Sequence, residues 1–128
     1  MNKGFTLLEV IVAILVIVVG VLAAFNVVQN IVSYTFQTGS RLTAAYLAME
    51  GIEEVRNIRD TNWLEGEEWD NGISSTGWIA HPQLPKYERK VTIDNSVNDK
   101  LKVIVEVRWT EKGQTHTVAV QENLYNWF

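Results

Sequence analysis

The stretch Gly4-Phe5-Thr6-Leu7-Leu8-Glu9, with the apolar run of residues 10–28 behind it, decides how this chain folds. Glu9 is the only charged residue between Gly4 and Ser40. A helix over residues 5–25 is about 31 Å long at about 1.5 Å per residue, enough to cross a bilayer core of about 30 Å. A carboxylate in such a helix costs roughly 2.5–3.5 kcal/mol at the centre and less near the end. A buried charge persists when it has a partner, so Glu9 asks for one.

The flanks give direction. Lys3 is the only cationic side chain ahead of the apolar run, and no cation follows until Arg41. The positive-inside bias therefore places the N-terminus in the cytoplasm and the C-terminal portion outside. A secretory signal peptide has a shorter apolar core and a small-residue cleavage site behind it. Here the core is longer, and Asn26-Val27-Val28-Gln29-Asn30 offers no such site. On these physical features alone an uncleaved single-pass anchor is an open reading.

The motif itself resembles the N-terminal signal of type IV pilins and pseudopilins. Glycine, aromatic, threonine, a leucine pair and glutamate stand in one frame behind a short Lys-bearing leader. The resemblance is strong over residues 3–28, weaker to about residue 60, and architectural beyond. It implies that a prepilin peptidase cuts between Gly4 and Phe5 on the cytoplasmic side, leaving the apolar helix with the mature protein. The new amino group of Phe5 would then be N-methylated. It implies also that Glu9 pairs with the Phe5 amine of a neighbouring subunit and so sets axial register, a well-attested use of a buried ion pair. Lys3 is the leader charge.

Composition narrows the function classes. At 128 residues there is room for one small domain beside the helix. The formal net charge is −4, and loss of Lys3 with the leader leaves 10 basic against 15 acidic side chains. That balance argues against a nucleic-acid-binding surface. There is no cysteine, so no disulfide staples the domain.

Further along, Leu42, Ala45, Ala48, Met49, Ile52 and Val55 recur with helical period, while Glu50, Glu54 and Asn57 lie opposite. Leu47 falls on the polar side, as a stray exposed leucine or a contact with another subunit. The period fades at Arg56-Asn57-Ile58-Arg59-Asp60, which predicts a helix end near residues 58–60. Gly20, Asn26 and Gly39 are weak points of the helix, and no proline lies in that zone. Residues 61–85 read as a long loop carrying Trp63, Trp69 and Trp78. A loop this long is unusual unless functional or anchored. Three strands follow, at residues 87–94, 101–109 and 115–124. Leu101, Val103, Val105, Val107 and Trp109 alternate onto one face. Glu111-Lys112-Gly113-Gln114 is a hairpin turn.

No motif for catalysis is present: no HExxH, CxxC, GxSxG or glycine-rich phosphate loop. His81 and His116 are the only histidines. Neither an enzyme, a cofactor nor a metal is expected. Glu65, Glu67, Glu68, Asp70 and Asn71 could offer oxygens to Ca²⁺, as in some pseudopilins, but their spacing is not that of an EF-hand loop, and a solvated acidic loop is the plainer reading. The loop tryptophans and the tail Leu124-Tyr125-Asn126-Trp127-Phe128 either cap the core or form an adhesive or subunit surface.

The expected protein is α+β: a long N-terminal helix, transmembrane in one half and amphipathic in the other, packed on a small antiparallel β-meander in a pilin-like arrangement. Its expected divisions are a leader at residues 1–4, a transmembrane and assembly helix at 5–28, an amphipathic continuation at 29–60, the Trp-rich loop at 61–85, and the sheet with aromatic tail at 86–128. The expected function is that of a structural subunit of a type IV pilus or a secretion-type pseudopilus, a minor pilin or pseudopilin rather than a major one. The partners would be other pilin subunits, the prepilin peptidase and the inner-membrane assembly machinery. An uncleaved anchored binding module and a filament-tip adhesin are the rivals.

Overall fold

The computed structural model describes residues 4–126. One helix, α1 (Leu7–Glu65), is followed by four strands: β1 (Ile79–Ala80), β2 (Tyr87–Val97), β3 (Lys100–Glu111) and β4 (Gln114–Tyr125). The strands form one antiparallel sheet in the order β1-β2-β3-β4. The chain divides into two compact units, Met1–Gly39 and Ser40–Phe128.

In the first unit every side chain from Gly4 to Thr38 is exposed. Its helix carries the one membrane-length apolar span found among the described residues, and none of that span is buried. Three of its polar side chains bond to the helix's own backbone. Asn26 Nδ2 donates to the Leu22 carbonyl (3.0 Å), and the hydroxyls of Thr35 and Thr38 donate to those of Ile31 and Tyr34 (2.9 Å each). Bonding back to the i−4 carbonyl lets such residues sit in an apolar medium without an orphaned donor. The helix runs through Gly20, Asn26 and Gly39 without a break.

In the second unit residues 40–65 of α1 pack on the sheet. The core holds Ala44, Leu47, Ala48, Ile52 and Val55 from the helix, and Tyr87, Val91, Leu101, Val103, Val105, Val107, Trp109 and Leu124 from the sheet. The alternation expected in β3 is found: Leu101, Val103, Val105, Val107 and Trp109 face the helix, while Lys102, Ile104, Glu106 and Arg108 face outward. The β3–β4 hairpin closes through Lys112 (φ 51°) and Gly113 (φ 77°), the two left-handed positions of a type I′ turn.

The helix face differs from the periodicity reading. Leu47 is only 6% exposed and belongs to the core, whereas Met49, expected on the apolar face, is 55% exposed. The cause is the close approach of helix and sheet. Ala44, Ala48 and Gly51 form the contact, and a Cβ on Gly51 would lie 2.9 Å from Val105 Cγ1 and 3.1 Å from Arg89 Cδ. Small residues set the centre of the face, and large apolar ones therefore misplace its phase.

The helix also runs to Glu65, beyond the expected end at 58–60. The Gly66 N–H bonds the Trp63 carbonyl (3.3 Å), the Glu67 N–H bonds that of Asn62 (2.9 Å), and Gly66 has φ 75°. This is a Schellman cap, and glycine supplies the left-handed residue at no steric cost. Residues 61–65 thus belong to the helix, not to the loop. The remaining loop holds a short strand, β1, that the sequence reading left out. Ser75 and Thr76 extend its pairing: Thr76 bonds Val91 in both directions (2.8 and 3.1 Å), and Ser75 Oγ accepts from the Ile93 N–H (2.8 Å).

Two ion pairs fix the helix over the sheet from either side. Arg56 donates to both carboxylate oxygens of Glu122 on β4 (2.6 and 2.7 Å), and Arg89 on β2 bonds Glu54 (2.6 Å). The Glu122 hydrogen bond, working against partial burial, raises the Arg56 pKa further above its ordinary value.

Gly51→Val should destabilise the second unit by about 2 kcal/mol, because the added bulk meets a filled core. Gly39→Ala, in open space with ordinary φ, should instead stabilise the helix by up to about 1 kcal/mol. Thermal unfolding of the two variants followed by circular dichroism, which should move in opposite directions, checks this.

Candidate functional site

The candidate site is the start of the chain, and its geometry follows from where the helix begins. Gly4, Phe5 and Thr6 are non-helical and exposed, with Phe5 82% exposed. Thr6 caps α1: its Oγ1 accepts the Glu9 N–H (3.3 Å), and its carbonyl accepts the Val10 N–H (3.2 Å). Thr6-Leu7-Leu8-Glu9 is a T-x-x-E sequence, the pattern of a capping box. The sequence reading took these residues as a recognition motif and missed that they also start the helix.

Glu9 stands in the first turn, where a carboxylate is favoured by the positive end of the helix dipole. Among the described residues its carboxylate has no hydrogen-bond or ion-pair partner. A Cβ built on Gly4 meets nothing within 4 Å, so the fold of this chain makes no demand for glycine there. The Gly4–Phe5 bond lies in non-helical, exposed chain just before the helix. Lys3 and most of the leader lie outside the described residues.

Residues 1–25 match the prokaryotic N-terminal methylation motif. This is the type IV prepilin-like signal, and it supports reading the chain as a pilin-like substrate of a prepilin peptidase. Together with the exposed apolar helix it supports membrane anchoring of the precursor. The α+β fold of one long helix on an antiparallel sheet is consistent with a pilin-like arrangement. No curated protein and no solved structure matches the chain.

The second unit holds the other residues singled out in the sequence. Its loop tryptophans are engaged within the chain. Trp63 stacks under the Arg59 guanidinium (4.9 Å), Trp69 packs on the core, and Trp78 lies under Arg108 (4.2 Å) and near Lys90 (5.7 Å) on the outer sheet face. Buried Asn62 secures the loop further, donating to the carbonyls of Trp69 (3.2 Å) and Asn71 (2.8 Å). Leu124 of the tail is core and Tyr125 is half exposed. Trp127 and Phe128 lie outside the described residues. In the acidic loop the Asn71 amide donates to Glu67, and no group of three His, Cys, Asp or Glu gathers for a metal among the described residues.

The two histidines have separate settings. His81 Nε2 lies 3.7 Å from Glu50, with Nδ1 buried and unpartnered, while His116 stacks on Trp109 (5.3 Å between ring centres). Near the latter, desolvation pushes the Glu111 carboxyl up, but hydrogen bonds to Ser40 and Trp109 and the charges of Lys86 and His116 outweigh it, and its pKa falls below the ordinary value.

Two tests follow from these contacts. Thr6→Ala should fray the first turn, at a cost of about 1 kcal/mol, seen as faster amide exchange at Glu9 and Val10. A carboxyl whose pKa is depressed on folding stabilises the fold above its unfolded value of 4.5 and loses that contribution as pH falls below it. Melting temperature in detergent should therefore drop on acidification below about pH 4.5, and less steeply in Glu111→Gln than in the parent chain.

Proposed function

We propose that this protein is a structural subunit of a type IV pilus or of a secretion-type pseudopilus, a minor subunit rather than a major one. It is not an enzyme; the covalent chemistry is done on it. The peptidase removes residues 1–4, and the new Phe5 amine is methylated. The observation that carries this reading is the methylation motif set at the cleavable end of an exposed, membrane-length apolar helix.

The physical chemistry makes one sequence of steps coherent. The precursor rests in the inner membrane with its N-terminus in the cytoplasm and its second unit outside, as Lys3 on one side and the lack of any cation before Arg41 on the other favour. Cleavage places an ammonium on Phe5, four residues before Glu9. A cation there faces the positive end of its own helix dipole, and the unpartnered Glu9 of a neighbour offers the compensating charge. Methylation keeps that charge. The protein is then extracted into a filament, where helices replace lipid around one another and the Glu9 pair sets register. Its partners are thus other pilin subunits, the peptidase and the assembly machinery, with no nucleic acid expected.

Intact mass of the membrane-extracted protein, with and without a co-expressed prepilin peptidase, tests this. The expected product lacks residues 1–4 and carries one added methyl, and Gly4→Ala remains full length while keeping the same helicity. A product of unchanged mass in both cases would sink the proposal and favour an uncleaved anchor. Glu9→Leu should be cleaved normally yet fail to enter sheared filaments.

A further inference from the structure

The two edges of the sheet are built differently. β1 is two residues long, with Gly77 before it and Pro82 after it, and offers little main chain to a newcomer. β4 is the other edge. Every residue from Gln114 to Tyr125 pairs with β3 without a shift of register. Its far side has no strand beside it among the described residues, so alternate N–H and C=O groups along it are left without a ladder partner. Edges of this kind are commonly blunted by proline, a bulge, a short strand or lysine. β4 has none of these, and Glu122 is its only Asp, Glu, Lys or Arg. Toward solvent it presents Thr115, Thr117, Ala119, Gln121 and Asn123, all exposed and uncharged.

The helix side of the same edge adds a pocket. Met49, Ile52 and Val120 line a cavity of about 240 Å³ between α1 and β4, and Glu53, Arg56 and Glu122 close one end of it. Val118 and Val120 are half-buried and pack on the core. A strand added beside β4 would point alternate side chains at this face. The side chain opposite Val120 would enter the cavity between Met49 and Ile52. The one opposite Glu122, two residues along, would meet two carboxylates that share the single guanidinium of Arg56. That end carries a net charge of −1 and suits a cation.

We propose that β4 is a docking edge for an extended segment of another protein, which joins the sheet as an antiparallel strand. Main-chain hydrogen bonds supply the affinity, and the two side-chain positions supply the choice of partner. The segment carries an aliphatic residue for the cavity and a lysine or arginine for Glu53 and Glu122. A second copy of β4 fits poorly, since it brings Glu122 and no lysine or arginine. Antiparallel pairing of two copies would also set their Ser40 ends, where the anchors join, at opposite ends of the seam, which anchoring in one membrane opposes. The docking edge goes beyond the subunit reading and needs neither cleavage nor the Glu9 contact.

The probe is the acetylated and amidated peptide Thr-Lys-Thr-Leu-Thr-Val-Thr, added to the full-length chain in lipid nanodiscs. It is expected to bind at about 1 mM or tighter and to slow amide exchange along β4, leaving β1 unchanged. N-methylation of one alternate set of its amides should abolish binding, and N-methylation of the other set should not, because only one set faces the edge. Glu53→Lys should weaken the probe roughly fivefold, and replacing the lysine of the probe with glutamate should restore binding to that variant. Glu53 is exposed, so folding is retained, which circular dichroism verifies. No protection of β4 at about 10 mM probe, or equal loss from both methylated sets, would overturn the docking edge. Equal binding by a peptide of residues 115–123 would overturn the assignment to another protein in favour of a second copy. Each of these results leaves the subunit reading intact.

Discussion

The apolar helix of the first unit is exposed along its whole length among the described residues. From Phe5 to Phe36 the large hydrophobic side chains point outward all round, and the hydrophobic effect makes that arrangement untenable in water. Such a helix is suited to lipid or to packing against other helices. Its details follow from this constraint. Asn26, Thr35 and Thr38 bond to their own backbone, an arrangement that leaves no orphaned donor in an apolar medium. Thr6 caps the start of the helix. A single charge remains, and it stands in the first turn, where entry into an apolar medium costs least.

The second unit solves the ordinary problem of a soluble domain with the same helix. Its sheet has one apolar face, which needs a cover, and residues 40–65 supply it. The approach is close because Ala44, Ala48 and Gly51 carry little or no side chain at the contact. A closely held helix needs its position fixed along both sides, and the Arg56–Glu122 and Arg89–Glu54 pairs do this where the sheet meets solvent. With no disulfide to tie the long connection between helix and sheet, anchoring falls to Asn62, Trp63, Trp69 and Trp78. Each is held inside the unit, so the loop is part of the fold and not a free aromatic surface.

Much of this was legible in the residues, and the failures share a cause. Strand β3 reads directly, since a half-buried strand advertises itself by strict alternation. The hairpin at Lys112-Gly113 reads from its turn chemistry. The membrane-length helix and its signal read from length and motif. The phase of the helix in the second unit did not read, because its contact face also takes in Ala44, Gly51, Arg59 and Asn62, which the apolar period left out. Leu47 looked exposed and is buried; Met49 looked buried and is exposed. The helix end was missed although Gly66 marked it, since fading hydrophobic period was weighed above cap chemistry. Strand β1 was missed because two residues leave no periodic trace, and its pairing is completed by the side chains of Ser75 and Thr76.

The first nine residues carry a different kind of information. Thr6 is explained by the chain itself, as a cap. Gly4 is not: its surroundings would accept a side chain, and its φ lies outside the left-handed region. Glu9 is explained only in part, since the helix dipole favours an acid in the first turn but does not repay taking a carboxylate out of water, and no described residue answers it. A residue whose identity the fold does not use is free to answer the demand of another molecule. On the proposed function one demand would be steric, at the bond between Gly4 and Phe5, and the other electrostatic, at Glu9. A protease that needs glycine before its cut and a neighbour that brings a new ammonium would meet the two demands in order, because a cut after Gly4 would create the charge that Glu9 lacks. That coupling is the physical reason for reading the motif as one device rather than as two coincidences at the start of a membrane helix.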